Sequence, residues 1–205
     1  MAGVVLGSTR VIYDSSSKEA TLTLTNTRNA KSYLVQSWLT LENGDNKNVP
    51  FIVTPPLFRL GPDKKGLLRI VNTDSNLPSD RESVFWLNVK PIPASENEIQ
   101  NELQVVIKST IKLIYRPEGI KDDAPDAYKK LKFSINHNVV DIYNPTPFYI
   151  NLYSLEVDGH SQDNISMVAP FSHSTVNSMG NRGDVVKWQA INDNGALCET
   201  LSVTL

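Results

Sequence analysis

Apolar residues recur along much of this chain at every second position. Thr21-Leu22-Thr23-Leu24-Thr25 alternates without a break, with Leu on one side and Thr on the other. A period of two built from good β-formers marks a half-buried strand, since a helix repeats at 3.6. Similar runs occupy residues 9–13, 32–41, 51–54, 66–71, 84–89 and 103–115. Turn-forming clusters separate them at Asn43-Gly44-Asp45, Gly61-Pro62-Asp63, Asp74 to Pro78 and Pro91 to Pro93. Residues 61–66 are expected to form a hairpin turn. Seven short strands over about 116 residues, with turns between them, have the spacing of an immunoglobulin-like sandwich. Trp38 falls in the third strand, where such sandwiches often bury a Trp.

The texture changes after Arg116-Pro117. Residues 118–130 are polar and read as a linker holding one or two helical turns. Short strands then resume at 131–135, 139–143, 149–157, 175–178, 185–191 and 201–205. Asp158-Gly159, residues 180–184 and Asp193-Asn194-Gly195 supply the turns. The expectation is all-β: an N-terminal domain over 1–117, a linker over 118–124 and a C-terminal domain over 125–205. The second sandwich, of about 80 residues, is small enough to depend on the first for stability.

Charge and composition narrow the function classes. Lys plus Arg number 20 against 22 Asp plus Glu, a net charge of -2, which provides no electrostatic footprint for nucleic acid. No run reaches the roughly 18–20 apolar residues of a membrane helix, so no membrane insertion is expected. Cys198 is the only cysteine and can close no internal disulfide or Cys-rich zinc site. Met1-Ala2-Gly3 leads straight into Val4-Val5-Leu6 without the charged and apolar regions of a signal peptide. Two readings stand: an exported chain whose signal peptide is absent here and whose Met was added, or a cytosolic chain with its natural start.

Enzyme signatures are missing. The chain has no Gly-x-Ser-x-Gly elbow, no phosphate-cradling glycine loop and no His-Glu-x-x-His. No catalytic residue, metal ligand or cofactor is expected. His137, His160 and His173 lie in polar, turn-rich segments and read as solvated. Cys198 reads as a partly buried small residue. Asn164-Ile165-Ser166 matches the short glycosylation pattern.

Two features carry candidate chemistry. In residues 101–115, Leu103, Val105 and Ile107 share one strand face while Gln104 and Lys108 share the other. The pattern suits an ordinary core strand. It equally suits an exposed edge whose apolar side chains enter another protein, a form of strand addition. Strict alternation from Leu103 sets Lys112 on the face opposite these residues, which a bulge or strong twist near 108–110 would reverse. The second feature is Arg10 and Lys112, cations embedded in apolar strands. They either point to solvent or form an anion site, most simply for a carboxylate.

Six segments, in order along nearly the whole chain, carry a family resemblance. They are Gly3-x-x-Leu6-Gly7-x-Thr9-Arg10-Val11-Ile12-Tyr13, Phe51-Ile52-Val53-Thr54-Pro55-Pro56-Leu57-Phe58, Asp80-Arg81-Glu82-Ser83-x-Phe85-Trp86-Leu87-Asn88-Val89, Ile111-Lys112-Leu113-x-Tyr115-Arg116-Pro117, Asn144-Pro145-Thr146-Pro147-Phe148-Tyr149 and Ile191-Asn192-Asp193-x-Gly195-Ala196. The chain resembles the periplasmic pilus-assembly chaperones of the chaperone–usher pathway, the PapD/FimC type. The resemblance implies two immunoglobulin-like β-sandwich domains arranged as a boomerang, in the periplasm of a Gram-negative bacterium. It implies pilus or fimbrial subunits as partners, held by donor-strand complementation and delivered to an outer-membrane usher.

Residue by residue, Arg10 and Lys112 match the cleft pair that anchors a subunit's C-terminal carboxylate. Leu103, Val105 and Ile107 match the donor strand. Glu82, Arg116 and Asp193 match an interdomain ion network. The short run from Pro91 to Asn101 and the single Cys fit the short-loop branch, which serves rod-like pili. An exposed donor edge also predicts a self-capping homodimer in the free protein. The competing expectation is a structural pilus subunit or adhesin on the same fold, which would need a terminal extension or a ligand pocket.

Overall fold

The computed structural model describes residues 3–27, 31–74, 76–93, 106–163, 165–177 and 183–205. Contacts divide the chain into two units: Met1–Leu77 with Ser83–Tyr115, and Pro78–Glu82 with Arg116–Leu205.

The first unit is a sandwich of two sheets. One has the order β1 (Val4–Leu6), β3 (Ala20–Asn26), β7 (Lys65–Asn72), β5 (Phe51–Thr54). The other has the order β2 (Arg10–Asp14), β9 (Ser109–Arg116), β8 (Ser83–Pro93), β4 (Tyr33–Thr40), β6 (Leu57–Leu60). The alternation in 21–25 has its expected outcome. Leu22 and Leu24 are buried with Leu68 and Ile70, facing Val35, Leu39, Phe85, Leu87 and Leu113 of the second sheet. Tyr13, Phe51, Phe85 and Tyr115 form a ring cluster with centroids 5.0–6.1 Å apart. Such edge and offset contacts add to their burial. Gly3 belongs here for lack of space: a Cβ would land on the Tyr33 ring.

Three expectations change in this unit. Trp38 is only half-buried, because Val35, Ser37 and Leu39 take the inward positions of β4 and alternation turns Trp38 outward. Residues 61–66 are not a hairpin turn. β6 pairs with β4 and β7 with β3 and β5, so this turn carries the chain from one sheet to the other. Within the long run 103–115, Val106-Ile107-Lys108 have no strand pairing and β9 starts at Ser109. β9 lies between β2 and β8, so this part of the run is interior. Its register with β8 is unbroken from Val89↔Ser109 to Ser83↔Tyr115, so there is no bulge within it.

The second unit has a three-stranded sheet of β10 (Lys132–Asn136), β11 (Val139–Asn144) and β15 (Ser172–Asn177). Opposite it lie β13 (His160–Ser161), β12 (Ile150–Val157), β16 (Val185–Ala190) and β17 (Leu201–Thr204), with β14 (Met167–Val168) also on β12. Val140, Ile142, Leu155, Val157, Val176 and Val186 are wholly buried between them. The segment read as a linker is a 3₁₀ helix, Glu118–Lys130. Its Ala127 and Tyr128 are buried in this core, with Ile120 and Ala124 packed beside it. The Tyr128 carbonyl accepts the Trp188 indole N–H at 3.1 Å, which ties helix to sheet.

Candidate functional site

Arg10 and Lys112 lie on the outer face of one sheet in the first unit. Val11 and Tyr13 are inward on β2, so alternation turns Arg10 out. On β9, Lys112 pairs with Trp86 and Thr110 with Asn88, whereas Leu113 pairs with core-facing Phe85. Directly opposed residues share a face. The Lys112 ammonium lies 5.7 Å from the centre of the Trp86 ring, and that of Lys108 lies 5.9 Å from Trp38. Asn88 is buried on the same face and fully engaged. Its amide N–H groups donate to Thr40 Oγ1 and the Trp86 carbonyl, both at 3.2 Å, and its Oδ1 accepts the Thr110 hydroxyl at 2.9 Å. This polar ladder links β4, β8 and β9 on the face that carries Lys112.

Burial pushes the Lys112 ammonium below the usual lysine range, and the positive charge of Arg10 pushes the same way, against a smaller opposing pull from Glu42. Two cations that disfavour each other in a partly dry site are both relieved by a bound negative charge.

The three charges Glu82, Arg116 and Asp193 meet, and all of them belong to the second unit. Arg116 donates Nε–H to Glu82 Oε1 at 2.7 Å. Its other nitrogens donate to the two oxygens of Asp193 at 2.6 and 2.9 Å, a forked geometry only Arg provides. The guanidinium also lies 5.5 Å from the centre of the Phe148 ring. Glu82, only 3% exposed, accepts the Tyr149 backbone N–H at 2.7 Å and donates its own N–H to the Pro147 carbonyl. Burial pushes its carboxyl above the ordinary glutamate range, against the pull of Arg116 and the Tyr149 N–H. Burial alone would lower Arg116, but the Asp193 hydrogen bonds and then Glu82 raise it.

Local sequence builds both sides of this cluster. Asn144 Oδ1 accepts the Thr146 N–H and hydroxyl, and its amide donates to the carbonyls of Phe148 and Ala169 at 2.7 and 2.9 Å. The loop Asn144-Pro145-Thr146-Pro147 is thereby wound on one buried side chain, with prolines at positions that donate no N–H. On the other side, Asn192 Oδ1 accepts the N–H groups of Asn194 and Ala196, and Gly195 takes φ +82°. That turn holds Asp193 toward Arg116 and needs a residue tolerant of positive φ.

Of the expected donor residues, Ile107 is 61% exposed just ahead of β9, while Leu103 and Val105 lie outside the described residues. Cys198 is half-buried. His137, His160 and His173 are exposed, and His173 Nδ1 lies 2.8 Å from Asp141 with its ring stacked on Tyr143. Asn164 of the glycosylation pattern lies outside the described residues. Sequence reasoning passed over Trp86, Asn88, Thr110 and Thr40. The available signal was a polar Asn88 inside the apolar run 84–89, since a buried polar group needs partners.

Two immunoglobulin-like β units, one carrying paired cations on an outer sheet face, define the class of protein to which known chains can be compared. Residues 3–121 match the family described as "Pili and flagellar-assembly chaperone, PapD N-terminal domain". Residues 126–200 match "Pili assembly chaperone PapD, C-terminal domain". The chain belongs to this family of pilus-assembly chaperones. Chaperone protein LpfB of Salmonella typhimurium is 43% identical over 205 residues, covering 98% of this chain and 88% of the relative. Chaperone protein FimC of Escherichia coli K12 is 42% identical over 200 residues, covering 96% and 82%. Among solved structures, the Salmonella enterica SafB chaperone complex with SafA pilin matches with a TM-score of 0.90 at 35% identity, covering 100% of this chain and 97% of that one. The periplasmic chaperone SfaE matches at 0.85 and 40% identity, covering 99% and 100%.

Proposed function

We propose that this chain is a periplasmic chaperone that captures pilus subunits by adding a strand to their unfinished sandwich and anchors each subunit's C-terminal carboxylate on Arg10 and Lys112. The pairing of two mutually unfavourable cations on one sheet face is the observation that supports the anchor. A fixed carboxylate sets the register of the added strand, and a one-residue slip would turn every side chain over. Leu103, Val105 and Ile107 supply the alternate side chains that fill the subunit's open core. Glu82, Arg116 and Asp193 clamp the places where the chain leaves and re-enters the second unit, between Glu82 and Ser83 and between Tyr115 and Arg116. Delivery to an outer-membrane usher and self-capping by a homodimer in the free state belong to the same reading. Relatives at above 40% identity are named chaperones, which leaves the structural-subunit alternative unfavoured.

The test is co-expression in the periplasm with a pilus subunit of the same cluster, followed by purification. A stable one-to-one complex with wild type, lost in Arg10→Ala and Lys112→Ala while both variants stay folded, supports the reading. Wild-type yields of complex from both variants would overturn the anchor, and failure of wild type to hold any subunit would overturn the function.

A further inference from the structure

Trp86 sits directly across the β8–β9 ladder from Lys112, with the ammonium 5.7 Å from its ring centre. Its position is not explained by core packing. The core side of β8 is taken by Phe85, Leu87 and Val89, and Trp86 is on the opposite face. Its indole N–H is buried and has no hydrogen-bond partner among the described residues. Trp188, the structural Trp of the second unit, has its N–H satisfied by the Tyr128 carbonyl.

We propose that Trp86 is a positioning residue for the anchor: its ring face holds the Lys112 ammonium in place on the outer sheet face, ready for a carboxylate. This rests on the anchor reading above. The indole face is the strongest aromatic acceptor for a cation, and the attraction grows where the site is partly dry. Lys112 needs such a hold for two reasons. Its stem is flexible, so each contact on the ammonium narrows its spread over rotamers. Its neighbour Arg10 is a like charge that would drive it away from the shared site. A π face attracts the ammonium without neutralising its charge. The Asn88–Thr110–Thr40 ladder lies beside this pair on the same sheet face. Asn88 Nδ2 also donates to the Trp86 carbonyl, which pins the backbone of the Trp itself.

The experiment uses the full chain, its Trp86→Phe and Trp86→Leu variants, and two peptides. One peptide copies the C-terminal strand of a pilus subunit with a free carboxylate, and the other is the same peptide amidated. Two readouts are taken: the NMR shifts of the Lys112 side-chain methylenes in the free protein, and affinity for each peptide. The Trp86 ring should displace the Lys112 resonances upfield in wild type, partly in Trp86→Phe and not in Trp86→Leu. Trp86→Leu should weaken the free-acid peptide by roughly 5- to 30-fold, Trp86→Phe by less, and neither should change the amide. A merely structural Trp would lower both peptides together and leave the Lys112 shifts unexplained. If Trp86→Leu does not fold, Trp86→Phe decides by the same two measurements. Unchanged Lys112 shifts, or an unchanged acid-to-amide ratio in the folded variants, overturns the proposal. A wild type that does not prefer the free acid overturns the anchor reading instead, and the Lys112 shifts still judge Trp86.

Discussion

Arg116 and Glu82 form a buried ion pair at 2.7 Å in which each partner is also held by something else. Arg116 forks onto Asp193, and Glu82 takes the Tyr149 backbone N–H on its second oxygen. Every oxygen of the buried carboxylate therefore has a donor, the condition under which a charge tolerates burial.

Removing Arg116 breaks that condition. Arg116→Ala should cost about 3–5 kcal/mol near neutral pH, because it strands a buried carboxylate. Burial raises the Glu82 carboxyl in the native state, so the native chain binds that proton more tightly than the unfolded one. Its contribution to stability is then full below the unfolded value, near about 4.3, and is lost as pH rises through the raised native value. With the opposing pull of Arg116 gone, the deficit should be smaller at about pH 5 than at about pH 7. Urea unfolding at the two pH values measures it. Asp193→Asn should be milder, under about 1 kcal/mol, because the Asp193 side chain is 47% exposed. Equal costs for the two variants would contradict the account.

Lys112→Met keeps the stem and removes the charge. Burial and Arg10 lower the Lys112 ammonium, so the native state holds its proton less tightly than the unfolded chain. The penalty is present below the lowered native value and is relieved as pH rises toward the unfolded value. The variant should be at least as stable as wild type at neutral pH, with the gap closing on the alkaline side. Subunit capture should fall by at least about 30-fold, since one side of a desolvated charge pair is gone. Thermal melts across pH, alongside pull-down of a co-expressed subunit, check both halves.

Ile107→Glu tests the donor segment at its described end. At 61% exposure the side chain contributes little to the free fold, so stability should change by less than about 0.5 kcal/mol. Capture should drop by roughly 10-fold or more, from loss of one apolar side chain that buries on binding. A collapse of the fold in this variant would assign Ile107 to the core instead.

Asn144→Ala, at the end of β11, should be strongly destabilising to the second unit. Asn144 is wholly buried and bridges the carbonyls of Phe148, Val168 and Ala169 while capping Thr146. Its loss leaves several backbone groups without partners, at about 2–4 kcal/mol. Amide exchange should localise the loss to residues around 144–149 and 168–171, leaving β3 and β7 of the first unit protected.

The strands were largely legible because alternation is a local property of the chain. A run such as 21–25 states its own pleat, and runs of β-formers between turn clusters mark the other strands, so the two all-β units follow. The family motifs marked Arg10, Lys112, Glu82, Arg116 and Asp193 by residue type. The 3₁₀ helix was half-legible: Ile120, Ala124, Ala127 and Leu131 recur at helical spacing, but so sparsely among charges that the segment reads as a linker.

What the amino-acid sequence determined by itself was the strand content, the turns and the chemistry available at each position. Tertiary structure alone decided which sheet each strand joins. The turn at 61–66 looks like any hairpin until β6 and β7 find different partners. It decided which side of β4 is inside, since both faces carry large apolar residues and only the opposing sheet turns Leu39 in and Trp38 out. It also brought Glu82, Arg116 and Asp193 together across long sequence separations, and set Trp86 beside Lys112 through strand register. The reason is one of range: periodicity and turn chemistry act over a few residues. Burial, charge pairing and cross-strand contact depend on neighbours that folding supplies.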